Sequence, residues 1–245
     1  MAFPFTTTAP IGSAATLGLV VLQADRTLEH DFRRLMPVEG VALHVSRVPS
    51  GTALTRETIR LMEDDLPAAA GLMPEGLAFD VVGYGCTSGA AQIGPDKVAG
   101  LVRAGCQTRH VTDPVSALVA ACRSMGIARL ALLSPYIEEV SGGLRTALAA
   151  EGIATPVFGS FEEEQEAVVS MIDAPSILQA AQALAAEGGV DGVFLSCTNL
   201  RTLDVIAPLE DLTGLPVLSS NQVLAWHMGQ LAGIRPAAVG RLMAG

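Results

Sequence analysis

Two cysteines in this chain sit in the same local phrase. Gly83–Gly89 reads GYGCTSG and Phe194–Leu200 reads FLSCTNL, each a cysteine followed by a threonine at the end of an apolar, strand-like run. Cys86 and Cys197 lie 111 positions apart (197 − 86). The same offset carries Asp25, just past the run LGLVVLQ, onto Tyr136, just past LALLSP. A register that holds at more than one place predicts an internal duplication, in which two halves bring equivalent loops, and therefore two thiols, to a shared cleft. Thiols on opposite sides of a substrate carbon are suited to moving protons, or to making and breaking a bond, at that carbon.

The residues after each cysteine, Thr87, Ser88 and Gly89 in one copy and Thr198 and Asn199 in the other, are small and polar. They suit a turn or helix start whose N–H groups favour a thiolate or hold a substrate carboxylate. Tyr136 offers a phenolic donor to an anion or enolate, or is a half-buried tyrosine with its hydroxyl at the surface. Asp25 either faces the cleft or caps a helix beginning near Arg26–Glu29, and Asn221, in LSSN, is open between a cap and a ligand contact. Cys106 and Cys122 fall within or beside helical stretches and read as small buried hydrophobes. Glu162, Glu163, Glu164 and Glu166 form an acidic run that reads as a solvated face.

Placing the thiols requires a parallel sheet. Strand-like runs at Leu17–Leu22, Val41–Val48, Val81–Tyr84, Thr108–Val111, Leu130–Leu133, Ala154–Phe158, Val193–Leu195 and Pro216–Leu218 alternate with helical segments. The helices are expected at Thr55–Ala70, Asp96–Ala104, Val115–Met125, Val140–Glu151, Ser176–Ala186 and Asn221–Ala232. The pattern predicts an α/β fold of two similar parallel-sheet halves facing each other across a central cleft. An N-terminal arm is expected over 1–16, a first half over 17–114 and a second over 115–245. Ligands in such sheets bind beyond the carboxyl ends of the strands, where Asp25, Cys86, Thr112, Tyr136, Cys197 and Ser219–Asn221 all fall.

The net charge of −10, with no basic cluster interleaved with aromatics, argues against nucleic acid. Apolar runs stop short of a membrane span, and the first residues lack a signal-peptide pattern, so a cytoplasmic protein is expected. His30, His44, His110 and His227 are scattered, so no metal site is indicated. The lone Gly83–Gly85 pair is a weak dinucleotide signal, and no cofactor is expected.

GYGCTSG, LLSPY, FLSCTNLRTLD and PVLSSNQVLAWHM together resemble the aspartate/glutamate racemase superfamily, in the branch of maleate cis–trans isomerases and arylmalonate decarboxylases. The similarity runs from Leu17 to Ile234 and is closest in phrasing to racemase-like proteins of ectoine utilisation. It implies a cofactor-independent isomerase or racemase, dimeric or tetrameric, acting on a small carboxylic or amino acid, with an arylmalonate-type decarboxylase or a non-catalytic small-molecule-binding protein as the alternatives. Cys86 and Cys197 would be the catalytic thiols, with Thr87, Ser88, Thr198, Tyr136 and Asn221 holding substrate. Asp25 and Glu166 stand where maleate isomerases carry asparagine. A carboxylate facing a dicarboxylate is repulsive, so a substrate with one carboxylate and one ammonium suits Asp25 better.

Overall fold

The computed structural model describes residues 1–37 and 39–244; Val38 and Gly245, the latter the end of the expected second half, lie outside the described residues. Among the described residues, eight strands form two four-stranded sheets, all parallel. The first holds β1 (Ala15–Leu22), β2 (Val41–Val48), β3 (Phe79–Gly85) and β4 (Thr108–Thr112), in the order β2-β1-β3-β4. The second holds β5 (Arg129–Ser134), β6 (Ala154–Ser160), β7 (Gly192–Leu195) and β8 (Val217–Ser219), in the order β6-β5-β7-β8. The order is the same in both, as a duplicated unit requires. The expected α/β fold of two similar halves is therefore the fold observed, with β1 starting at Ala15, inside the stretch expected as an arm.

The connections are α1 (Leu28–Leu35), α2 (Arg56–Gly71), α3 (Thr87–Ile93), α4 (Pro95–Gly105), α5 (Pro114–Met125), α6 (Glu138–Ala150), α7 (Glu166–Val169), α8 (Ala174–Ala186), α9 (Leu203–Thr213) and α10 (Ser220–Ala232). Several starts are written in the sequence. Thr55 and Thr58 form a capping box for α2, as Ser219 and Gln222 do for α10. Asp113 accepts from the amides of Val115 and Ser116 ahead of Pro114 in α5. Helices α1, α3, α7 and α9 lie outside the six that periodicity predicts; α1, α3 and α7 are eight, seven and four residues long, and α9 contains Pro208, normally a breaker.

Every residue of β1 and of β7 is buried, the pattern of a sheet covered on both faces. The halves interlock rather than merely touch, because α10, the last helix of the second half, packs on β3 and α5. The second glycine of GYG lets α1 pack on β3 within the first half, since a side chain at Gly85 would collide with Leu28. Among the described residues, no helix is long and apolar enough to cross a membrane.

Candidate active site

Register explains which groups meet. In the first sheet Val21 pairs with Gly85, so the loops after β1 and β3 carry Asp25 and Cys86 out side by side. In the second, Leu133 pairs with Leu195, so Tyr136 and Cys197 emerge together beyond β5 and β7.

Cys86 is the N-cap of α3, its Sγ accepting the Gly89 amide at 3.1 Å. Gly89 is small of necessity: a Cβ there would lie 2.9 Å from that sulfur and also meet the Tyr84 hydroxyl. Cys197 sits in a tighter turn with φ at +101°, a region that L residues rarely adopt. Its sulfur lies 3.0 Å from the Tyr136 hydroxyl and accepts the Asn199 amide at 3.3 Å. Both thiols are buried, at 2% and 4% exposure. Burial pushes Cys86 up to about 12, reinforced by the negative charges of Glu166 and Asp25 and opposed by the Gly89 amide and the Tyr84 hydroxyl. Burial likewise pushes Cys197 well above the ordinary thiol value, with Glu166 adding to it and the Tyr136 hydroxyl working against it. Both cysteines therefore rest as neutral thiols.

The two cysteine loops are bonded to each other's half. Thr87 Oγ1 donates to Ser220 Oγ at 2.8 Å, and that oxygen also accepts the Cys197 amide at 3.0 Å. Thr198 Oγ1 donates to the Gly85 carbonyl at 3.2 Å. The expected substrate-holding hydroxyls of Thr87 and Thr198 are thus already engaged in fixing the spacing of the thiols. Ser88 is buried in the first turn of α3.

Asn199 and Asn221 are likewise committed. Asn199 Nδ2 donates to the Glu166 carbonyl and Oε2, while its Oδ1 accepts the Arg26 amide at 2.8 Å. Asn221 does not cap α10, a task that falls to Ser219. Its Nδ2 donates to Asp31 Oδ2 and to the Thr198 carbonyl, and its Oδ1 is buried without a partner. Thr112, at the end of β4, is paired with His227 Nδ1 at 2.8 Å. Cys122 is buried within α5 and Cys106 is half-buried at the end of α4.

Asp25 takes the helix-starting role with one oxygen and leaves the other unpartnered. Oδ1 accepts the amides of Thr27 and Leu28, both at 2.8 Å, starting α1, while Oδ2 is buried without a partner. Burial raises its pKa, tempered chiefly by those two amides, and its charge is felt by both thiols and by Glu166.

The reading of the acidic run as a solvated face is wrong for Glu166, which is 2% exposed. Its Oε1 accepts the Tyr136 hydroxyl at 2.6 Å and its Oε2 accepts Asn199 Nδ2 at 2.6 Å. A count of charges cannot single out one glutamate of four. The signal for Glu166 was its place at an asparagine position of the resembling family. Ser220 and Tyr84 also shape the site, and only their adjacency to Asn221 and Cys86 pointed to them.

The family model described as arylmalonate decarboxylase matches residues 105–243. The chain is 27% identical over 231 residues to the arylmalonate decarboxylase of Bordetella bronchiseptica, covering 90% of this chain and 92% of that one. It is 22% identical over 218 residues to a maleate isomerase of Geobacillus stearothermophilus, covering 83% and 86%. Among solved structures, a doubly substituted arylmalonate decarboxylase in liganded form superposes with a TM-score of 0.84 at 25% identity, over 94% of this chain and 99% of that one. A maleate cis–trans isomerase of Nocardia farcinica, solved with a covalently bound succinylcysteine intermediate, superposes with a TM-score of 0.79 at 23% identity, over 94% and 98%.

Proposed function

The chain belongs to the arylmalonate decarboxylase family, and from that premise we propose that it is an isomerase working α to a carboxylate with Cys86 and Cys197 as its two thiols. Its relatives include both isomerases and decarboxylases of the aspartate/glutamate racemase-like fold, so the family admits either reaction. One observation carries the choice. Two buried thiols stand at equivalent strand ends of the two sheets, each with a tyrosine hydroxyl beside it, Tyr84 at Cys86 and Tyr136 at Cys197. Isomerisation by proton transfer needs two such groups: one takes a proton from one face of the carbon and the other returns a proton to the opposite face. Protonating the carbanion left by decarboxylation needs only one.

Asp25 narrows the substrate. An unpartnered, buried carboxylate oxygen favours a donor or a cation and repels a second carboxylate. A small amino acid therefore fits better than maleate, and the resemblance to ectoine-utilisation proteins makes the diamino acids of that catabolism the first to assay. Incubation in deuterated water with amino acids, diamino acids, maleate and aryl malonates tests the assignment. α-Deuteration with inversion is expected; carbon dioxide release from aryl malonates without deuteration of amino acids would favour the decarboxylase.

A further inference from the structure

Each thiol has a tyrosine beside it, and the two come from positions that the duplication does not relate: Tyr84 lies two residues before Cys86, whereas Tyr136 matches Asp25. What lies beyond the tyrosines differs. The Tyr84 hydroxyl faces Met62 Sδ at 3.9 Å, which is no base. The Tyr136 hydroxyl reaches Cys197 Sγ at 3.0 Å on one side and the Glu166 carboxylate at 2.6 Å on the other. Glu166 in turn borders an open cleft with Gln23, Arg26, Thr52 and Gln165. We propose that Cys197, Tyr136 and Glu166 form a proton relay, which makes Cys197 the thiol that is deprotonated within the protein and Glu166 the place its proton goes.

The relay rests on the two-thiol reading and on charge. Burial opposes loss of the Cys197 proton to water, and so does the negative charge of Glu166 and Asp25 nearby. A transfer inside the cluster creates no second anion. The Cys197 proton passes to Tyr136 Oη as the Tyr136 proton passes to Glu166 Oε1, leaving a thiolate, a neutral phenol and a neutral carboxylic acid. The single negative charge has moved and none has been added. Burial of Glu166 disfavours its ionised form and so eases the step. The thiolate then takes the substrate proton: the carbon–hydrogen bond breaks, its electron pair stays on carbon, and a sulfur–hydrogen bond forms. Cys86, resting as a thiol with no carboxylate behind its tyrosine, supplies the proton to the opposite face. The groups that set the balance are Asp25 and Cys86 from the first half and Tyr136, Asn199 and Cys197 from the second.

The test needs no substrate. In a Cys86→Ser protein, the rate of iodoacetamide alkylation at Cys197 is followed against pH, with each labelled residue resolved by mass spectrometry. A relay holds a fixed fraction of Cys197 as thiolate once Glu166 is ionised, so the rate reaches a shelf at neutral pH. Glu166→Gln and Tyr136→Phe should each lower that shelf at least tenfold. They should leave a rate that climbs about tenfold per pH unit, as for a simple thiol, and the double variant should be no worse than either. Superimposable curves for all the proteins would overturn the relay. Should Glu166→Gln not fold, Tyr136→Phe decides alone, because its curve either loses the shelf or keeps it. Near-normal turnover in Cys197→Ser would instead remove the two-thiol reading beneath it, an outcome that the labelling curves do not mimic.

Discussion

Ser220 Oγ is shared by the two cysteine loops: it accepts Thr87 Oγ1 at 2.8 Å from the first half and the Cys197 amide at 3.0 Å from the second. One hydroxyl oxygen therefore ties the residue after Cys86 to the backbone of Cys197, and this bond, with the bond from Thr198 to the Gly85 carbonyl, holds the two cysteine loops together. Ser220→Ala leaves two buried donors without an acceptor. It should cost about 1–3 kcal/mol of stability, and turnover should fall more than KM changes. Denaturant unfolding and steady-state kinetics check both.

The thiols themselves should be irreplaceable. Cys86→Ser and Cys197→Ser should each lower turnover at least about a hundredfold, since a serine hydroxyl is a far weaker acid and nucleophile than a thiol. Cys106→Ala and Cys122→Ala should change stability and leave turnover near normal. Near-normal turnover in either serine variant would contradict the mechanism.

Asp25→Asn keeps the Oδ1 acceptor for the amides of Thr27 and Leu28 while removing the charge at Oδ2. If that oxygen selects substrate, the variant should gain maleate binding or isomerisation and weaken binding of an amine-bearing substrate by at least about tenfold in kcat/KM, or about 1.4 kcal/mol. An unchanged substrate profile would reduce Asp25 to a helix cap.

At Cys197 the usual ranking of alanine over glycine should invert. With φ at +101°, any Cβ is strained, so Cys197→Gly should be more stable than Cys197→Ala by about 1 kcal/mol. Cys86, with φ at −148°, carries no such strain, and any advantage of glycine over alanine there comes from its N-cap position instead. Thermal melts of the four proteins make the comparison.

Asp31 is held up to about 6 from 3.8, first by burial, with the Asn221 amide and Arg34 opposing. A raised acid favours the folded state while protonated, so this relative stability is fully present below pH 3.8, declines as pH rises, and is lost above pH 6. Above that pH the shift is a burden of about 3 kcal/mol on the folded protein. Asp31→Asn should therefore stabilise the protein at pH 7, still accepting from Asn221, and the difference from wild type should shrink towards pH 4. A gap between the melting curves that does not depend on pH would refute it.

The sequence by itself determined the duplication, the parallel α/β architecture and the pairing of Cys86 with Cys197, because strand periodicity and a repeated phrase are local signals that survive without coordinates. It also put Tyr136 and Asp25 at matching strand ends. Only the tertiary structure decided what those side chains do. Thr87, Thr198, Asn199 and Asn221 read as ligands, yet their hydrogen bonds are spent on residues across the site or up to 190 positions away, as Asn221 is on Asp31. Glu166 read as one of four exposed acids, and became the buried partner of Tyr136 in a stretch that bonds to the distant Thr52 and Ala53. Hydrogen-bond partners, burial and backbone strain depend on which distant segments pack together, and that information is not local to any stretch of sequence.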